Sequence, residues 1–248
     1  MRRVFATLVL PAVLACWLFG PVRADDFRIE TKVYNGRSKR PVSQNVTLFR
    51  AGYVYDYLSM PERIAVFDQA HGRFIVLDPV RKLKAEIKSS DVRKLVDSLH
   101  DLAAKSSVAA LKFAADPEFE VEFTAQGDLT LSSPHVTYTL KTEPAATPEA
   151  AQQYHEFSDW YARFNTMANP GSGPPFPRLV VNAELARRGL VPTEVRRTTR
   201  SVSARAEHYV SWRLLDSDHR RIAETANQLA TFKEVDFEDL QAPAVTKR

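Results

Sequence analysis

The sequence has one cysteine, Cys16, so it can build neither an internal disulfide nor a cluster of thiolate metal ligands, and its stability must come from packing. Its eight glycines form no G-x-G-x-x-G or G-x-x-x-x-G-K loop, which removes the common phosphate cradles. No G-x-S-x-G elbow occurs, and the six histidines are scattered without an H-E-x-x-H spacing. No cofactor and no metal centre is expected. Nor does one sign of charge dominate, with 34 Lys and Arg against 30 Asp and Glu. Three of the basic residues, Arg2, Arg3 and Arg23, fall in the first 24 positions, where no acidic residue occurs. The remainder is therefore near neutrality, and a nucleic-acid partner is not expected.

The one extended apolar run lies at the N-terminus. Arg2 and Arg3 precede an uncharged stretch from Val4 to Gly20, and Val22-Arg23-Ala24 places small residues at the −3 and −1 positions of a cleavage site before Asp25. Residues 1 to 24 read as a cleavable secretory signal, which predicts a periplasmic or secreted protein beginning at Asp25. Pro11 and the shortness of the run argue against an uncleaved membrane span. A competing reading takes Val13-Leu14-Ala15-Cys16 as a lipoprotein cleavage box. Leu14 fits it poorly, and the apolar stretch continues through Trp17, Leu18 and Phe19, so cleavage after Ala24 is preferred.

Beyond the leader the chain reads as one α+β domain over residues 25 to 240, with a loose tail from Gln241 to Arg248. Short β-like runs at Phe27 to Tyr34, Asn45 to Arg50, Tyr53 to Leu58, Arg63 to Asp68, Arg73 to Leu77 and Lys82 to Ile87 predict an antiparallel meander. Asn35-Gly36, Ala51-Gly52, Met60-Pro61, His71-Gly72 and Asp78-Pro79 supply its turns. In the middle strands both alternating faces are apolar. Ile64 and Val66 oppose Ala65 and Phe67, so the sheet centre must be covered on both sides or curl around an apolar hollow.

Apolar spacing predicts a helix from Ser89 to Lys105, capped by Ser89 or Ser90. Strands then resume at Glu118 to Thr124, Asp128 to Ser132 and His135 to Lys141. Thr147-Pro148 opens a helix reaching about Ala168, and Asn169 to Pro177 breaks it. A short helix near Asn182 to Arg188, strands at Glu194 to Thr199 and Arg205 to Leu215, and a last helix capped by Asp216 or Ser217 complete the reading.

Candidate residues lie mainly on two segments. Tyr154, Phe157, Trp160, Tyr161 and Phe164 form an aromatic stripe on the Thr147-Pro148 helix that either lines a ligand pocket or packs as core. Arg196 and Arg197, within an Arg-rich stretch from Arg187 to Arg221, either meet an anionic headgroup or protect an exposed strand. Glu118, Glu120 and Glu122 share one strand face, but Phe119, Val121 and Phe123 account for the alternation as a half-buried strand. Asp216, Asp218 and His219 read as a helix start with favourable acidic charge. Asn45-Val46-Thr47 matches a glycosylation sequon too short to carry weight.

The run from Asn45 to Ile87, with its aromatic segment Tyr53 to Tyr57, Met60-Pro61, the strand Arg73 to Leu77 and Asp78-Pro79, resembles exported lipoprotein carriers of the LolA and LolB type. The resemblance implies a curved antiparallel β-sheet, an incomplete barrel with helices covering its concave face, and an apolar pocket for acyl chains. The expected function is an exported, non-enzymatic binding protein for lipid or lipoprotein acyl chains. The alternative is a cell-envelope structural or protein-interaction domain, with an envelope protein as partner and no small-molecule ligand.

Overall fold

A computed structural model of the chain describes residues 26–242. The expected leader, with Cys16 and the cleavage site at Ala24, lies outside the described residues, as do positions 243–248 of the expected tail.

Six strands follow one another as the turn signals require: β1 (Phe27–Asn35), β2 (Ser43–Arg50), β3 (Tyr53–Ser59), β4 (Glu62–Asp68), β5 (Arg73–Asp78) and β6 (Leu83–Lys88). Each is antiparallel to the next. The β2–β3 hairpin turns on Ala51 and Gly52, at φ 51° and 80°, the double left-handed conformation of a two-residue turn that matches strand twist. Helices α1 (Ser89–Ala104) and α2 (Ala109–Ala115) lead to a second run, β7 (Glu120–Phe123), β8 (Asp128–Ser132) and β9 (Val136–Pro144). Helices α3 (Pro148–Ala168) and α4 (Phe176–Arg188) precede β10 (Leu190–Thr199) and β11 (Ser203–Ser211). The chain closes with α5 (Asp216–Thr231), the two-residue β12 (Lys233–Glu234) and α6 (Phe237–Gln241).

One pairing joins the two runs. Antiparallel β1–β11 contacts, from Arg28↔Ser211 to Asn35↔Ala204, produce a single twelve-stranded sheet ordered β12-β6-β5-β4-β3-β2-β1-β11-β10-β9-β8-β7. The sheet is curved and open, with β12 and β7 as its edges. It is antiparallel throughout except for β12, which runs parallel to β6 and makes it mixed.

Apolar side chains on both faces of the middle strands are satisfied from both sides. Phe27, Phe49, Phe67, Phe74 and Val76 turn toward the concave face, where they pack with Val92 and Val96 of α1 and Tyr154, Phe157 and Phe164 of α3. Leu48, Tyr57, Ile64, Val66 and Leu77 turn the other way and meet Ile222 of α5. The helices are thus not confined to the concave face. Burial of each large side chain contributes roughly 1.5–3 kcal/mol, so a cover on one face alone would leave several such contributions unmade. A third cluster joins Leu129, Leu131, Tyr138 and Leu140 to Val181 and Leu185 of α4.

Several local expectations change. Neither Ser89 nor Ser90 caps α1 with its side chain; the Ser89 N–H donates to the Gly72 carbonyl at 2.8 Å instead, tying the helix start to the β4–β5 turn. Helix α4 begins at Phe176, not near Asn182, because Pro177 lies in its first turn, where the missing N–H costs nothing. The Asp218 carboxylate, not Asp216 or Ser217, receives the Leu215 N–H at 2.8 Å at the start of α5. Strand β7 is exposed on both faces, so Val121 and Phe123 are not half-buried. Gln241 closes α6 and donates to the Ala168 carbonyl at 2.9 Å, so it belongs to the packed structure and not to a tail.

Candidate functional site

Thr147 begins the element that organises the site. Its side chain accepts the Ala150 N–H at 3.1 Å, Pro148 occupies the first turn, and the twenty-one residues of α3 then lie across the concave face. The aromatic stripe divides by role. Phe164 stacks on Phe74 with centroids 4.5 Å apart, and Phe157 meets Phe49 edge-on at 5.5 Å, so both anchor the helix in the core. The guanidinium groups of Arg93 and Arg163 lie over the Trp160 ring, at 5.7 and 5.6 Å from its centroid.

Between α3 and the sheet the packing is incomplete. A middle lobe of about 490 Å³ is walled by Ile29, Val33, Phe49, Tyr154, Phe157 and Tyr161. An end lobe of about 460 Å³ lies toward β3–β5 and α6, bordered by Leu58, Val76, Tyr161, Phe164 and Leu240. A third lobe of about 490 Å³ lies toward β9–β11, α2 and the start of α4, with Phe113, Tyr138, Arg178 and Arg197 on its wall. Asn165 borders all three, Tyr161 and Asp56 are shared by the middle and end lobes, and Arg178 by the middle and third. The lobes adjoin as one hollow along the concave face, of the size and mixed lining of a small-molecule pocket.

Polar groups interrupt the apolar wall, and those around Asp56 and His208 are ordered by hydrogen bonds. Asp56 of β3 is 2% exposed, and its carboxylate accepts hydrogen bonds from Asn45 Nδ2, from Thr47 Oγ1 at 2.7 Å and from the Tyr161 hydroxyl at 2.9 Å. Burial raises its pKa above the usual carboxylate range, although the three donors pull the other way. Tyr161 is driven well above the ordinary phenol value, chiefly by the neighbouring Asp56 charge and then by burial. On β11, His208 Nδ1 lies 2.9 Å from Thr31 Oγ1. Enclosure by protein, with a smaller push from Arg178, lowers its pKa to about 3, so the ring is neutral at ordinary pH even though part of it faces the hollow.

The two predicted arginines are not brought together. Adjacent positions on β10 place them on opposite faces of the sheet: Arg197 borders the third lobe, while Arg196 pairs with Glu194 at 3.0 Å on the other side. Asp56, His208 and Arg178 did not stand out in the sequence. Asp56 alternates with Val54 and Leu58, and His208 with Ala206 and Val210, and a polar residue inserted in an apolar strand face is the signal that marks both. Asn45, the sequon residue, directs its amide to Asp56.

Other candidates assemble nothing catalytic. Glu120 and Glu122 are exposed on the edge strand β7, and Asp218 lies 3.6 Å from Arg28 while His219 contacts Arg50. Among the described residues no three His, Cys, Asp or Glu side chains group as metal ligands would. No protein-family model and no curated protein matches the chain.

Proposed function

We propose that the protein is a non-enzymatic binder of lipid or other acyl-chain amphiphiles, acting as an exported carrier. The observation that supports this reading best is the hollow itself, three adjoining lobes of about 460 to 490 Å³ under a helix whose outer contacts are already satisfied by the core. An acyl chain placed there leaves water for walls of Ile, Val, Phe and Tyr, at about 0.8 kcal/mol for each methylene buried. Ten methylenes supply roughly 8 kcal/mol before the costs of association, which sets a micromolar ceiling on affinity. The resemblance of Asn45 to Ile87 to lipoprotein carriers points the same way.

Plugging the hollow tests the proposal. Ala162 of α3 borders the middle and third lobes, and Ala162→Phe puts a ring into empty space without removing any core contact. The variant is expected to keep the circular dichroism spectrum of the parent and to bind a fluorescent fatty acid at least tenfold more weakly. Equal uptake by parent and variant, or uptake by neither, contradicts the assignment.

A further inference from the structure

Charge is distributed unevenly along the hollow. The third lobe has no acidic side chain on its wall, yet it receives Arg178 from α4, Arg197 from β10 and His135 from the turn just before β9. Arg205 also borders it, but its guanidinium is held by Glu207 at 3.1 Å and lies over the Tyr34 ring at 4.4 Å. Arg178 and Arg197 form no ion pair with any described residue. Arg178 approaches the Tyr154 hydroxyl, and the charges of both arginines act on the Tyr138 phenol, favouring its ionised form against burial. The one buried carboxylate of the hollow, Asp56, stands on β3 where the middle and end lobes meet, and does not border the third lobe.

The sheet register gives the separation. From β10, which bears Arg197, to β3, which bears Asp56, the order passes through β11, β1 and β2, four strand spacings or about 19 Å along the sheet. Between them the middle lobe has an apolar wall of Ile29, Val33, Phe49, Phe157 and Val195, interrupted by neutral polar groups such as Thr31, Ser43, Ser158, Asn165 and the neutral His208. A guanidinium without a carboxylate partner at the mouth of an apolar channel is a receptor for a planar or tetrahedral oxyanion, which it meets with two parallel N–H donors.

We infer that the third lobe is a headgroup site for an anionic amphiphile. Arg178 and Arg197 hold its carboxylate or phosphate, and its acyl chain runs through the middle lobe toward Tyr161. Asp56 reinforces this orientation, because an anionic head at its end would meet a buried carboxylate, and the one arginine on the end-lobe wall, Arg63, is already paired with Asp78 at 3.0 Å. The inference rests on the binder reading above and adds to it the charge and the direction of the ligand.

The experiment is a calorimetric titration of the detergent-free protein at neutral pH and low salt with dodecanoate, dodecyl phosphate, dodecanol and inorganic phosphate. Both anionic amphiphiles are expected to bind at least tenfold tighter than dodecanol, and inorganic phosphate at least tenfold weaker than dodecyl phosphate. Arg178→Gln and Arg197→Gln should each reduce the ratio of anionic-amphiphile to dodecanol affinity at least fivefold, and an unchanged ratio in both would overturn the headgroup site. Arg197 is exposed, so its variant serves even if Arg178→Gln disturbs folding. Arg196→Gln, on the far face of the same strand, should change nothing. Equal affinity for dodecanol and the anionic amphiphiles overturns the headgroup site while leaving the binder reading intact. Inorganic phosphate binding as tightly as dodecyl phosphate would mean a site for the free anion and overturn the amphiphile assignment. Binding of none of the probes removes both.

Discussion

At the scale of single residues, Asp56 is the side chain whose environment is most at odds with its type. A buried carboxylate without a cation in contact stays in place only because Asn45, Thr47 and Tyr161 all donate to it. Removing the acceptor in Asp56→Ala leaves those donors unmet and is expected to cost about 1–3 kcal/mol by urea denaturation. Asp56→Asn keeps an acceptor and removes the charge. Because burial raises the folded pKa, the folded state binds the proton more tightly than the unfolded one, and ionisation disfavours folding as pH rises through the raised value. Asp56→Asn should therefore have a higher denaturation midpoint than the parent at pH 7, and an equal or lower midpoint would contradict the assignment. The histidines have the opposite sign. His208 and His155 have folded pKa values lowered to about 3 and about 4, in both cases chiefly by burial, so below about pH 6.5 the unfolded chain takes up their protons first. Their contribution to stability is complete above that pH and is lost as pH falls toward the folded values. His155→Gln combined with His208→Gln should flatten the pH dependence of the melting temperature between about pH 4 and 6.5. These residues were hard to read in advance because a single polar residue in a strand has no periodicity. Tyr161 was legible only through its place in the aromatic stripe.

At the scale of elements, alternation and turn chemistry made most of the sheet readable. The first six strands fall close to their expected bounds because each of the five turns between them holds a residue with a restricted or left-handed backbone. Ala51, at φ 51° before Gly52, and Lys82, at φ 54° before β6, are turn positions occupied by residues that disfavour their conformation. Ala51→Asn places a tolerant residue at the first of these and completes the preferred Asn-Gly pair, so it is expected to raise stability by about 0.5–1 kcal/mol in thermal or urea unfolding. No gain would argue against that hairpin geometry. The Asp78-Pro79 turn also has a physical basis, because the Asp78 carboxylate accepts the Arg81 N–H at 2.9 Å and meets Arg63 at 3.0 Å. Elements set by tertiary contacts escaped sequence reasoning. Helix α2 spans only seven residues, β12 has two, and α4 starts inside a Pro-rich stretch that resembles an interruption. Strand β7 looked half-buried from its alternation, but at the sheet edge all four of its residues are exposed, with Phe123 met by the Arg188 guanidinium at 5.1 Å from its ring.

At the scale of the whole molecule, apolar side chains on both faces of the middle strands required either two covers or a curled sheet around a hollow, and the protein uses both. Helix α5 seals one face, where the Tyr57 hydroxyl meets Thr225 at 2.9 Å under the guanidinium of Arg221. Helix α3 lies over the other but fills it only in part, and the unfilled part is the candidate site. Which face would stay open was not legible, because both covers present similar apolar stripes and the difference arises from small residues such as Ala162 and Ala206 along the α3 side. The most direct test of the central claim is native mass spectrometry of the protein isolated without detergent and then titrated with dodecanoate. The account predicts a stoichiometric adduct, either co-purified lipid or added fatty acid, that is lost in Ala162→Phe. A protein that remains free of adduct throughout, with its fold intact, would contradict it.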